Sequence, residues 1–125
     1  MYQYNGKMID VIDGDTFEVE VDLGFHIKHR IRVRLKAINT AEIYRPVNDF
    51  ELEHARAAKA FVEDIVSKND DVVIQTYKER GSSFGRFVAD IYVHVEEGKV
   101  TSLKELLENA NMAKLESYDK PYTEA

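Results

Sequence analysis

Two arginines and a glutamate, Arg34, Glu42 and Arg86, stand in short segments that suit each of them to face one phosphate. Arg34 ends a basic stripe, and Glu42 closes the segment Ile38-Asn39-Thr40-Ala41-Glu42. Arg86 follows the glycine of Ser83-Phe84-Gly85-Arg86, and upstream Asp13-Gly14-Asp15-Thr16 offers carboxylates at a tight turn. Cleaving a phosphodiester takes cations for a dianionic transition state, a carboxylate for the water and hard oxygens for a metal ion. These residue types supply all three. A guanidinium engages phosphoryl oxygens in a planar fork and keeps its charge at any working pH, which suits Arg34 and Arg86. Glu42 is the candidate to orient or deprotonate the water. The four histidines show no metal-site spacing, and no Ser/His/Asp arrangement stands out.

These residues need a scaffold, and hydropathy patterning supplies one. Lys7 to Ile12 reads as a short strand. Thr16 to Asp22 alternates, with Phe17, Val19 and Val21 on one face and Glu18, Glu20 and Asp22 on the other. Phe25 to Ala37 extends the alternation, its even positions His26, Lys28, Arg30, Arg32, Arg34 and Lys36 all basic or titratable. Period-two patterning of this length predicts a hairpin. If Leu23-Gly24-Phe25 is its loop, Asp22 opposes His26, Glu20 meets Lys28, Glu18 meets Arg30 and Arg34 falls opposite Gly14.

Asn48 followed by Glu51 resembles a capping box, and Ala58, Phe61, Val62 and Ile65 give the apolar stripe of a helix from about Asp49 to Ser67. Val72 to Lys78 and Arg86 to Val95 are predicted strands, joined by a turn from Glu79 to Ser83 around Gly81. Glu96 to Lys99 turns the chain into a second helix capped by Ser102, burying Leu103, Leu106, Leu107 and Ala110. The polar tail from Glu116 to Ala125 is expected to be held loosely. The predicted fold is mainly β with α (α+β): a five-stranded OB-like closed barrel with two or three helices, in one domain.

Composition narrows the chemistry further. With no cysteine among 125 residues, zinc-thiolate sites, thiol nucleophiles and disulfides are excluded. No apolar stretch approaches the ~18 residues of a membrane span, and Met1 to Gly6 lacks the blocks of a secretory signal. A cytoplasmic protein with no membrane partner is expected, or a secreted one if a leader has been removed. A net charge of −6 opposes polyanion binding unless positive charge is concentrated locally, as it is between His26 and Lys36.

Val11-Ile12-Asp13-Gly14-Asp15-Thr16, Arg34-Leu35, Asn39-Thr40-Ala41-Glu42 and Phe84-Gly85-Arg86 together resemble, in order and spacing, the staphylococcal nuclease family. The likeness runs from about Lys7 to Lys114. It implies an OB-like barrel and calcium-dependent hydrolysis of DNA and RNA to 3′-phosphate and 5′-hydroxyl ends, with another hard divalent ion as a substitute. It assigns the catalytic arginines to Arg34 and Arg86 and the catalytic glutamate to Glu42. It assigns metal ligation to Asp15, Asn39 and the Thr40 backbone carbonyl, with Asp13 just outside. Asn39 stands where the family has a second metal aspartate, keeping an oxygen ligand but losing a charge. Ala41 stands in place of a proline and Phe84 in place of a tyrosine. The region from Glu116 to Tyr118 does not reproduce the family's pair of substrate-contacting tyrosines, leaving Tyr118 as the candidate for one of them.

Each feature also has a plainer use. Lys28 and Arg30 are expected to pair with Glu20 and Glu18 across the hairpin. His29 is expected to pack at the barrel rim, and Tyr44, Arg45 and the loop to Asn48 are candidates to touch substrate. Three functions compete: a metal-dependent nuclease, monomeric and acting on single-stranded or breathing DNA or RNA; a catalytically feeble single-stranded nucleic-acid-binding module; and a protein-interaction domain. Arg34, Glu42 and Arg86 occurring together favours the nuclease, because neither alternative needs a water-activating carboxylate.

Overall fold

Alternating apolar residues fold this chain into a barrel, seen in a computed structural model that describes residues 2–77 and 86–124. The strands are β1 (Tyr2–Asp13), β2 (Thr16–Asp22), β3 (Lys28–Leu35), β4 (Asp71–Thr76), β5 (Arg86–Glu96) and β6 (Lys99–Ser102). Helix α1 (Asp49–Lys68) joins β3 to β4, α2 (Leu103–Asn109) follows β6, and a 3-10 turn spans Tyr122–Glu124. The sheet order is β3-β2-β1-β4-β5-β6, and a parallel pairing of β3 with β5 closes the first five strands into a ring. This is the OB-like α+β architecture the alternation predicts, with one extra strand. Gly98, at φ 74, turns the chain back so that 99–102 pairs with β5 before Ser102 caps α2. The predicted turn from Glu79 to Ser83, together with Phe84 and Gly85, lies outside the described residues.

β1 begins at Tyr2, earlier than its hydropathy suggests, because it serves two neighbours. Its first half pairs with β4 and its second half with β2, the two ladders meeting at Gly6 and Lys7. A Cβ on Gly6 would lie 2.6 Å from the Glu20 carbonyl oxygen and 2.9 Å from Ile74 Cδ1, so only glycine admits this bend. Phe17, Val19, Val33, Leu35, Ile74, Ile91 and Val93 fill the interior, joined by Val62 of α1 and by Leu103 and Leu107 of α2. Phe61, Ile65 and Leu106, also predicted core residues, pack half-buried against it.

The hairpin differs from its predicted register by two residues. Thr16 opposes Arg34, Glu18 opposes Arg32, Glu20 opposes Arg30 and Asp22 opposes Lys28. The faces are as predicted, but the connection is longer. Leu23 N donates to the Ile27 carbonyl at 2.9 Å and Ile27 N to the Gly24 carbonyl at 2.8 Å, so β3 begins at Lys28 rather than Phe25. Gly24, Phe25 and His26 all adopt positive φ, which an alternating pattern cannot reveal. Arg30 still reaches Glu18 (3.6 Å) and Lys28 reaches Glu20 (3.9 Å), now as diagonal pairs. His29 is exposed, not packed at the rim, because this end of β3 projects past the core.

Asn48 caps α1 by accepting from Glu51 N at 3.0 Å, but Glu51 does not complete the reciprocal box. Its carboxylate turns to the preceding loop. The tail, expected to be loose, is packed on α1. Tyr118 is 5% exposed and its hydroxyl lies 2.8 Å from Nδ1 of the fully buried His54. His54 Nε2 lies 2.9 Å from the Asn111 carbonyl, so Nε2 donates and Nδ1 accepts from Tyr118. Leu115 N donates to the Tyr118 oxygen at 3.0 Å, and Tyr122 stacks on the imidazole at 4.7 Å. Tyr118 is thus a tail anchor and not available to stack on a substrate. Tyr118→Phe, leaving buried His54 Nδ1 and Leu115 N without a partner, is expected to cost about 1–3 kcal/mol in denaturant unfolding; an unchanged midpoint would contradict this.

Candidate functional site

The buried carboxylate of Asp15, 7% exposed, lies at the turn between β1 and β2 and binds three stretches of chain together. Its Oδ1 accepts from the Thr16 hydroxyl at 3.0 Å, and its Oδ2 accepts from Thr40 N at 3.1 Å and lies 3.8 Å from Arg34 Nη2. Its backbone carbonyl accepts from Leu35 N at 2.8 Å, stitching the turn to the end of β3. Arg34 Nη2 also donates to Asn39 Oδ1. The turn is tight for a definite reason: a Cβ on Gly14 would meet Ala58 Cβ at 2.7 Å and Thr40 Oγ1 at 2.9 Å. Helix α1 and the loop carrying Thr40 therefore close on the turn as only glycine permits.

Asp15, Arg34, Asn39 and Thr40 lie together, joined by two hydrogen bonds and the Asp15–Arg34 ion pair. Glu42 lies on the same loop, two residues past Thr40. Its backbone N donates to Glu51 Oε2 at 3.1 Å, while its side chain is exposed and bonds to no described residue. The Arg86 backbone pairs with Arg32 on β3, two residues before the Val88–Arg34 pair, and its side chain lies outside the described residues. Tyr44 (70% exposed) and Val47 (74%) project from the loop beyond Glu42.

Among the described residues no group of three His, Cys, Asp or Glu side chains gathers, so a site built wholly on such ligands is not formed there. The cluster instead presents a carboxylate, an amide oxygen and a hydroxyl, a set suited to a hard cation. Thr40 Oγ1 is buried and has no hydrogen-bond partner among the described residues. Asp13 Oδ1 accepts from Asp15 N at 3.1 Å, and burial, reinforced by the Asp15 carboxylate, pushes the Asp13 pKa up to about 7. Crowded carboxylates beside an unpartnered hydroxyl fit a divalent ion.

Glu51 and Lys114, neither of them assigned to this site by the sequence, complete the support. Glu51, 1% exposed, accepts from Glu42 N and, at 2.8 Å, from Val47 N, with Lys114 Nζ 3.5 Å away. Burial alone would raise its pKa, but the two backbone donors and Lys114 outweigh it and hold Glu51 below its ordinary value. Lys114 N donates to the Asn39 carbonyl at 2.7 Å, and Thr40 bridges to Ala113. The helix-cap pattern pointed to Glu51 for another reason, and nothing in the sequence marks 113–114 as the partner of 39–40.

A family model described as staphylococcal nuclease homologue matches residues 32–125. An uncharacterized protein of Methanocaldococcus jannaschii is 27% identical over 120 residues, covering 83% of this chain and 56% of its own length. The chain thus spans little more than half of that relative.

Because Glu51 is held ionised in the fold, its contribution is full above about pH 4.3, the ordinary glutamate value, and is lost as pH falls through its lowered one. Glu51→Gln is therefore expected to lose about 1–3 kcal/mol at neutral pH and to show a shallower decline of unfolding free energy in acid. A decline as steep as the parent's would rule out Glu51 as the linked group.

Proposed function

The chain belongs to the staphylococcal nuclease homologue family, and from that membership and the Asp15 cluster we propose that it is a metal-dependent phosphodiesterase hydrolysing DNA or RNA. The observation that carries this is Arg34, placed 3.8 Å from Asp15 Oδ2 and donating to Asn39 Oδ1, beside the unpartnered Thr40 hydroxyl. A cation for phosphate and oxygens for a metal thus share one corner of the barrel.

Arg34, with a side chain 37% exposed, retains donors for the equatorial phosphoryl oxygens. We assign Arg86 the second guanidinium. Glu42, exposed on a loop whose backbone is fixed by Glu51, takes the proton from the attacking water as its oxygen approaches phosphorus in line with the leaving 5′-oxygen. As the bond from phosphorus to the 5′-oxygen breaks, that oxygen takes a proton from solvent and Glu42 later returns its own to solvent, giving 3′-phosphate and 5′-hydroxyl ends. Asp15, the Asn39 side-chain oxygen and the Thr40 carbonyl are the residues that would hold calcium or another hard divalent ion, which supplies Lewis-acid polarisation of the phosphate. Held in this way, Arg34 offers its charge before the reaction begins, so little reorganisation is needed as charge develops.

A second reading has its own support. Asn39 brings no charge to the metal and its oxygen is already engaged by Arg34, which favours a weak metal site and a barrel that binds nucleic acid with little turnover.

The protein is expected to digest denatured DNA or RNA with added calcium and to stop on chelation. Arg34→Lys and Glu42→Ala should each lose about a hundred- to thousand-fold in rate. Digestion that survives chelation removes the metal, and digestion that survives Glu42→Ala removes the assigned base. Salt-sensitive retention on single-stranded DNA without digestion selects the binding module. Asn39→Asp should tighten calcium binding by calorimetry; unchanged or weaker affinity would take Asn39 out of the coordination shell.

A further inference from the structure

The β2–β3 hairpin carries a feature that the chemistry above uses only at its Arg34 end. Residues 23–41 contain five Lys and Arg side chains and no carboxylate, in a chain of net charge −6. Lys28, Arg30, Arg32 and Arg34 alternate along β3 and share its outward face, opposite the buried Val33 and Leu35. Alternate side chains on a strand repeat every ~6.8 Å, so this row of four runs for roughly 20 Å and ends at Arg34. Arg32 is exposed and makes no ion pair with a described residue. Among the described residues the carboxylates facing the row are Glu18, Glu20 and Asp22 of β2 and, at its Arg34 end, the buried Asp15. Asp22 is occupied in accepting from Gly24 N at 2.8 Å. Glu18 and Glu20 reach Arg30 and Lys28 only at 3.6 and 3.9 Å, and both cations remain 58% exposed. Such pairs are worth about 0–1 kcal/mol and yield readily to a polyanion.

At the far end the loop holds an aromatic ring away from the protein. Phe25 is 95% exposed, and it and His26 adopt φ 53 and 61, a conformation unfavourable for bulky residues. The backbone bonds of Leu23 and Ile27 and the Asp22 side chain hold the loop in this form. Among the described residues nothing packs on the ring to offset the strain.

We infer that the outward face of this hairpin, from Phe25 through Lys28, Arg30 and Arg32 to Arg34, is a docking track for single-stranded nucleic acid. Its direction rests on the hydrolase reading, since the row leads to the corner assigned to phosphate. A linear row of cations matches a linear polyanion, and an exposed ring at its end matches an unstacked base, which any sequence supplies. A lipid surface would engage the tip with Leu23 and Ile27 but would have no use for a row extending down the barrel wall.

The test is fluorescence anisotropy of the whole chain, with chelator present, on oligothymidylate of about 12 nucleotides, within the range that such barrels cover. Phe25→Ala should weaken binding about 5- to 150-fold. Arg32→Gln should lower the slope of log affinity against log salt by about 0.7. Binding of a dinucleotide, too short to reach the tip, should be unchanged in Phe25→Ala. Both sites are exposed, and unchanged thermal unfolding would verify that each variant folds. Failure of the parent to bind, or parental affinity and salt slope in both variants, overturns the track even if the protein digests nucleic acid. Loss confined to vesicles of anionic phospholipid also overturns it. Both effects without calcium-dependent digestion would sustain the track and reject the hydrolase.

Discussion

A single buried carboxylate, that of Asp15, decides whether the candidate site exists as a unit. It lies between the β1–β2 turn, the end of β3 and the loop at Thr40, and each of these donates to it or to its backbone. Desolvating a carboxylate is costly unless its lone pairs are satisfied, and here two fixed donors and a nearby guanidinium satisfy them. The arrangement is cooperative with packing. Gly14 lets Ala58 of α1 and Thr40 approach the turn, and without that approach Thr40 N could not reach Asp15. Electrostatics and close packing therefore determine the same geometry.

Glu51 does for the next stretch of chain what Asp15 does for the first. Between β3 and α1 the chain runs without helix or ladder, so its buried backbone donors need other acceptors. Thr40 N finds one on Asp15, while Glu42 N and Val47 N find two on Glu51. Two buried carboxylates thus hold an irregular loop at three points, with Lys114 balancing the second. This separates the two properties a reactive carboxylate requires: the Glu42 backbone is fixed, while its side chain stays exposed.

Much of this was legible in the residues. Alternation placed β2 without error and assigned Val33, Leu35 and the β3 cations to opposite faces, because side-chain period depends only on the strand. Register depends on the loop, and consecutive positive φ at Gly24, Phe25 and His26 cannot be inferred from residue types that ordinarily avoid it. The motifs brought Asp15, Arg34, Asn39 and Thr40 to one corner. The sequence pointed Glu51 to a helix cap and Tyr118 to substrate and gave His54 no role, since each acts through partners that residue type does not reveal: Glu42 and Lys114 for the first, and His54 and Tyr118 through each other. A polar tail with two buried or stacked tyrosines looks, in composition alone, like one that is loose.

The remaining tension is between an acidic molecule and a polyanionic substrate, and distance resolves it. At physiological ionic strength charges are screened over about 8 Å. A phosphate beside β3 therefore responds to the nearest cations and only weakly to carboxylates farther away than that. Of the carboxylates beside the row, Glu18 and Glu20 are opposed by Arg30 and Lys28, Asp15 by Arg34, and Asp22 is engaged by Gly24 N, leaving Arg32 in excess next to Arg34. Net charge sets how the whole molecule behaves in a crowd of other polyanions. What one strand of nucleic acid meets is set by the period of a single β-strand, which collects the positive charge of residues 28–34 on one face.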